Sequence, residues 1–143
     1  MDCVVRELNL DDLEEIYNLN IELGFNFPIE KLKQRVEDLI NRPETKVFVA
    51  EHNSKVIGYI HGSVSDRIYD DRLFFIHTII VTENYRSIGV GNKLITRIEE
   101  WVSRNNYLGI GLWSRIDRIG AHKFYENHGY INERTQKYFL KYL

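Results

Sequence analysis

Apolar and polar positions recur along this chain with two different periods, and each change of period marks an element. From Cys3 to Glu7 the run CVVRE reads as a short strand. Asn9, followed by Asp11 and Asp12, supplies a cap and first-turn acids for a helix that sets Leu13, Ile16, Tyr17 and Asn20 on one face and ends at Gly24. Beyond the apolar GFNF loop, Pro28 suits the first turn of a second helix, where Ile29, Leu32, Val36 and Ile40 recur at helical spacing, and Pro43 follows its end. The stretch KVFVAEHNSKVIGYIHGSV holds two runs of branched and aromatic residues around His52, Asn53 and Ser54, the pattern of a β-hairpin.

After the acidic loop SDRIYDD, the run LFFIHTIIV is almost continuously apolar, as expected of a strand covered by helices on both faces, and it is read as the centre of a sheet. The clearest helix follows the turn at Thr82 to Ile88, with Val90, Leu94, Ile98, Trp101 and Val102 in one stripe. LGIGLWS then reads as a strand, AHKFYENHGY as a short helix closed by Gly129, and KYFLKYL as a terminal strand. The pattern predicts about seven strands and four helices in an α/β fold. At 143 residues, the chain is expected to be one domain over 1–143.

Charge narrows the classes of function. Lys plus Arg is 19 and Asp plus Glu is 21, a net charge of −2, so no overall basic field draws nucleic acid or an anionic membrane. No apolar stretch approaches the ~18 residues of a membrane-spanning helix and the N-terminus lacks a leader pattern, so the expectation is a cytoplasmic protein. Cys3 is the only cysteine, which removes an internal disulfide and a multi-cysteine metal site, and it reads as a small buried apolar residue. Neither His122 with His128 nor any other pair shows metal-site spacing with a third ligand, so no metal is implied.

The chemistry-bearing feature is Arg86, Gly89 and Gly91 in YRSIGVGNKL, an RxxGxG string between the apolar strand and the best helix. Glycines there let the backbone approach a ligand closely. Free N–H groups at a helix N-terminus, with the dipole behind them, then form a pyrophosphate cradle. An ordinary tight strand-to-helix turn would use the same glycines. Neither GxGxxG nor GxxxxGK[ST] is present, so nicotinamide binding and nucleotide hydrolysis have little support.

At this point the chain resembles the GNAT superfamily of N-acetyltransferases. Four pieces match in order: VVRELNLDDLEEI, the hairpin KVFVAEHNSKVIGYIHG, the coenzyme motif IHTIIVTENYRSIGVGNKLI, and the tyrosine helix AHKFYENHGY. The resemblance implies a three-layer sandwich with a mixed, mostly antiparallel central sheet, and a protein that binds acetyl-CoA as co-substrate. It places the pantetheine arm along the backbone of Ile79, Ile80 and Val81. It places the pyrophosphate on the N–H groups of Arg86, Ser87, Ile88, Gly89, Val90, Gly91 and Asn92. Ser87 and Ile88 stand where many members have Gly and a basic residue, and Arg118 where Asn is frequent, so Arg118 is assigned to the coenzyme's phosphates instead.

Transfer to an amine needs a neutral nucleophile, and a lysine-like amine with a pKa near ~10.4 needs a proton acceptor at neutral pH. His77 interrupts the apolar strand and titrates near working pH, which makes it the first candidate base; a histidine hydrogen-bonded within the sheet is the other reading. Asp66, Asp70, Asp71 and Glu83 are fallback bases, and His61 on the hairpin could face the same cleft. Tyr125 resembles the family tyrosine that supports the departing thiolate, while a tyrosine that packs on the sheet is the structural alternative. Phe25, Phe27, Tyr69 and Trp113 lie on segments that could wall the acceptor site. The expected acceptor is a small-molecule or peptide amine. A non-catalytic acyl-CoA sensor and a toxin-like transferase acting on RNA or protein stand as alternatives, and KYFLKYL leaves a homodimer open.

Overall fold

A computed structural model describes residues 2–143, in two compact units: one ending at Leu112, the other spanning Trp113–Leu143. In the first unit β1 (Val4–Glu7), β2 (Thr45–His52), β3 (Lys55–Ser65), β4 (Leu73–Val81) and β5 (Ile110–Leu112) form one sheet in that spatial order. The first four strands pair antiparallel and β5 runs parallel to β4. The sheet is therefore mixed and mostly antiparallel, with five strands rather than about seven. The apolar run LFFIHTIIV is β4, but β3 occupies the middle. The continuous apolar character of β4 reflects cover on both faces, not a central place. LGIGLWS contributes only Ile110–Leu112, and KYFLKYL joins no ladder among the described residues, because alternation without a paired edge does not make a strand.

Helices α1 (Leu13–Leu23) and α2 (Ile29–Ile40) cover one face. Ile16, Leu19, Leu32 and Val36 pack there with Val49, Val56, Tyr59 and Ile80. Helix α3 (Val90–Arg104) covers the other: Val90, Leu94, Ile95, Ile98 and Val102 are buried, and Trp101 meets Phe74 edge to face at 5.5 Å. Each fully buried aliphatic chain contributes roughly 1.5–3 kcal/mol of hydrophobic transfer energy before conformational entropy is counted. Phe48 and Val49, neighbours on β2, serve opposite faces as strand alternation requires; Arg97 of α3 lies over the Phe48 ring, while Val49 belongs to the α1/α2 side.

Local signals act where they were read. Asn9 Oδ1 accepts from Asp11 N–H and the Asp12 carboxylate accepts from Asn9 N–H, a reciprocal cap. Asp12 is also gripped by both terminal nitrogens of Arg6, at 2.9 and 2.8 Å, which ties β1 to the start of α1. Gly24 ends α1 at φ +99°, and Asn53 and Ser54 turn the hairpin with left-handed backbones. The second unit holds α4 (Ile119–Asn127), with Gly129 at φ +86° beyond its end. Among the described residues no helix is long and apolar enough to cross a membrane.

Candidate active site

Two irregularities of β4 build the site. The first is a bulge: His61 pairs with Thr78 and Gly62 with Ile76, so His77 is an extra residue with no partner on β3. The second is an open edge. Strand β5 pairs only with Phe74, Phe75 and Ile76, so among the described residues no strand covers the outer side of β4 from His77 to Val81. An extended ligand carrying amide groups could add itself there as a partial strand.

The open edge leads into the turn before α3. Ser87 adopts φ +63° and Gly89 φ +96°, and Gly89 at the N-cap of α3 supplies no side-chain hydrogen bond to the helix's first N–H groups. Ser87 thus holds a backbone favouring glycine at the position where the resembled family often has one. The result is a set of donors at the positive end of a helix of 15 residues, the arrangement that binds phosphate oxygens. The Arg86 side chain folds back instead of reaching outward. Its Nε donates to Val81 O at 2.7 Å and its Nη2 to Glu22 Oε2 at 3.0 Å, while Thr82 Oγ1 donates to Glu22 Oε1 at 2.9 Å. Glu22, at the end of α1, therefore pins both ends of the turn's first segment. A polar position on a helix carries no sequence signal for such a role.

On the α1/α2 face of the sheet, His77 is brought together with His61 and Ser63. Its Nε2 lies 2.6 Å from Ser63 Oγ, and the two imidazoles meet edge to face at 5.1 Å. Burial lowers the His77 pKa from its ordinary value. His61 is pushed down to about 4, chiefly by burial and further by His77 and Arg35, so at neutral pH it is uncharged. Tyr59, two residues before His61 on β3, donates its hydroxyl to Asn20 Oδ1 at 2.6 Å, and burial raises its phenol to about 12 against a smaller opposing pull from Thr78. Ser63 and Tyr59 were missed by motif reading, although the alternation of Tyr59, His61 and Ser63 places all three on one face.

The fallback acids are not gathered at His77. Asp66 is paired with Arg72 at 2.6 Å, Asp70 accepts from Asp71 N–H, and Glu83 lies in the 3₁₀ turn after β4. Cys3 is half-buried ahead of β1, and burial raises its thiol pKa. Phe27 packs against the core, whereas Phe25 and Tyr69 are exposed. Two shallow surface concavities of the first unit lie elsewhere, one against Tyr107 to Ile110 and one beside Cys3 and Lys93. They reflect side-chain relief, whereas the edge of β4 is defined by unpaired backbone.

Tyr125 and Arg118 belong to the second unit. The Tyr125 ring contacts Phe124 and Tyr130 at centroid distances of 5.6 and 6.2 Å; burial raises its pKa and Arg118 pulls it down. Trp113, also in this unit, is exposed and donates Nε1–H to Gln136 Oε1 at 3.1 Å. His122 and His128 engage backbone carbonyls of Arg115 and Phe124. Among the described residues no group of three or more His, Cys, Asp or Glu is placed to hold a metal ion.

Residues 10–130 match the model of the acetyltransferase (GNAT) family, and the chain belongs to that family. An uncharacterized N-acetyltransferase of Methanocaldococcus jannaschii is 26% identical over 145 residues, covering 96% of this chain and 64% of the relative. The N-acetylaspartate synthetase of Xenopus tropicalis is 28% identical over 91 residues, covering 64% of this chain and 32% of the relative. The chain thus spans less than two thirds of the length of either. Among solved structures, the aminoglycoside acetyltransferase AAC(6')-Iy, in complex with a bisubstrate analog of CoA and acetylneamine, superposes with a TM-score of 0.89 over 100% of both chains at 18% identity, which shows a shared fold.

Proposed function

We propose that residues 1–143 act as one cytoplasmic N-acetyltransferase domain that moves the acetyl group of acetyl-CoA onto a primary amine of a small molecule or peptide by direct attack in a ternary complex. The observation that carries this reading is the uncovered edge of β4 from His77 to Val81, running into the uncapped N-terminus of α3. Backbone groups of Ile79, Ile80 and Val81 receive the pantetheine arm. The N–H groups from Arg86 through Asn92 receive the pyrophosphate, with Arg118 as a further phosphate contact. An N–H at Ile80 or Val81 polarises the thioester carbonyl.

His77 accepts the amine's proton. In the tautomer whose Nε2–H donates to Ser63 Oγ, Nδ1 carries the lone pair that accepts the proton, and the lowered pKa favours the neutral ring at neutral pH. The amine nitrogen forms a bond to the acetyl carbon as the carbon–sulfur bond breaks, and Tyr125 supports the departing thiolate. A phenol at or above ~10 facing a thiol near ~8.5 makes complete proton transfer uphill, so hydrogen bonding to the thiolate is its main contribution. The N-acetylaspartate synthetase relative and the aminoglycoside acetyltransferase likeness, by their names, both act on small amines, which supports that acceptor class.

A thermal melt with acetyl-CoA tests the cradle. Ligand at ~100 times its dissociation constant adds ~2.7 kcal/mol and raises the midpoint by several degrees. Thiol release on adding amines then tests transfer; no midpoint rise at millimolar acetyl-CoA overturns the assignment.

A further inference from the structure

The face of β3 and β4 that presents His77 is flanked by two basic side chains, Arg67 from the segment after β3 and Arg35 from α2. Ser63 stands opposite Phe75 in register, and the guanidinium of Arg67 lies over the Phe75 ring at 4.8 Å. At the other end of the strip, Arg35 of α2 sits over the Phe27 ring at 5.6 Å and is close enough to His61 to depress its protonation. Neither arginine forms an ion pair with a carboxylate among the described residues, although seven other arginine–acid contacts are present.

The acids that might have neutralised this strip are engaged elsewhere. Glu22 holds Thr82 and Arg86, and Glu44 and Asp66 both hold Arg72. Asp70 and Asp71 remain on the exposed loop, where Asp71 N–H donates to Asp70 Oδ1 at 2.8 Å. A guanidinium stacked on an aromatic ring keeps its N–H fork free and oriented, which suits bidentate capture of a carboxylate. A polycationic amine would meet like charge on the same strip.

We infer that the acceptor is a primary amine bearing a carboxylate, which Arg35 and Arg67 bind while its amine faces His77. The inference rests on the proposed function, since it needs the acceptor on this face of β4. Two guanidinium groups at opposite ends of a strip centred on the bulge select an acid that reaches from one of them to the nitrogen beside His77, as in a free amino acid or an acidic dipeptide.

Matched acceptors supply the test: L-aspartate against L-asparagine, L-alanine against L-alaninamide, and spermidine as the polycation, each assayed by thiol release at saturating acetyl-CoA. The acid of a pair should exceed its amide at least tenfold in kcat/KM. Arg35→Gln and Arg67→Gln should each raise KM for the acid about tenfold, leave the amide unchanged, and leave the acetyl-CoA-induced rise in Tm intact. Arg35→Lys should recover part of the loss. Amides or spermidine acetylated as well as the acids, or variants that slow acid and amide alike, overturn the inference while the transferase reading stands. Acetyl-CoA binding without acetylation of any acid also overturns it. An absent Tm rise with acetyl-CoA removes the reading beneath it.

Discussion

Gly58 is where the sheet's packing and the coenzyme edge meet, and Gly58→Ala separates them from general stability. Gly58 pairs with Val81, and a β-carbon placed on it would sit 2.6 Å from Ile80 O and 3.3 Å from Val81 Cα. Both are backbone atoms, so no side-chain rotation relieves the clash and the end of β4 must retreat by most of an ångström. Overpacking of this kind costs about 1–3 kcal/mol, which at roughly 2–4 °C per kcal/mol in a domain of this size lowers Tm by roughly 2–12 °C. The displaced residues are the ones proposed to hold pantetheine. Loss of one or two hydrogen bonds at ~1 kcal/mol each should raise KM for acetyl-CoA roughly five- to thirtyfold. Gly111→Ala supplies the contrast. Its β-carbon would meet the Phe75 ring at 2.5 Å, so Tm should fall while KM for acetyl-CoA holds. Melting curves and acetyl-CoA titrations of both variants decide the matter. A Gly58→Ala protein within about 1 °C of the parent, with unchanged KM, refutes the close approach of β3 to the end of β4.

Burial holds the His77 pKa below its usual 6.5, so the unprotonated base predominates at pH 7 and the rate should decline only as pH falls through that lowered value; His77→Gln should lower kcat and flatten this acidic limb, and an intact limb in the variant assigns the proton to water or another group. Tyr125→Phe should leave the acetyl-CoA-induced Tm shift unchanged and reduce kcat roughly ten- to hundredfold, the worth of a hydrogen bond to a charged thiolate, and unaltered turnover removes Tyr125 from the chemistry. Arg6→Met should cost about 3 kcal/mol, because the Asp12 carboxylate, 5% exposed, would lose its cation, and denaturant titration measures it. Burial alone would raise Asp12, but its bonds to Arg6 and Asn9 prevail and hold its pKa below the ordinary 3.8. The stability it supplies is therefore present above that value and lost as pH falls through the lowered one, a loss Arg6→Met should diminish.

Periodic signals carried over into the fold with little change. Gly24, Pro28 and the stripe from Val90 to Val102 each end, open or orient a helix because the signal is local: a left-handed glycine, a fixed φ, a 3.6-residue repeat. Strand order was not legible in the same way. The run LFFIHTIIV reports cover on both faces, which β3 and β4 share, and only the ladder separates the middle strand from its neighbour. KYFLKYL has strand-like alternation, yet a strand exists only through a partner edge. The candidate site residues divide likewise. His77 stood out as the polar interruption of an apolar run and the RxxGxG turn by its glycines. Glu22, Arg35 and Arg67 are ordinary charged positions in sequence, distinguished only by what the fold sets beside them.

The irregular features of this sheet converge on one place for a physical reason. A regular, fully paired strand has no backbone group to offer a ligand and directs alternate side chains to opposite faces. The bulge at His77 breaks that alternation, so that His77 and Thr78 in succession share the α1/α2 face with His61 and Ser63. The end of β5 at Leu112 frees the following backbone of β4 along its outer edge. The glycine at position 58 lets β3 lie close against the far end of that same stretch, at Ile80 and Val81. Extra residue, missing neighbour and missing side chain act on five consecutive residues, so restoring regularity at any one should cost function before it costs the fold. Deleting His77, which would bring the β3–β4 ladder into continuous register, is the sharpest form of that argument. The protein should still melt cooperatively and lose acetyl transfer, whereas an active deletion variant would mean that the bulge has no part in the chemistry.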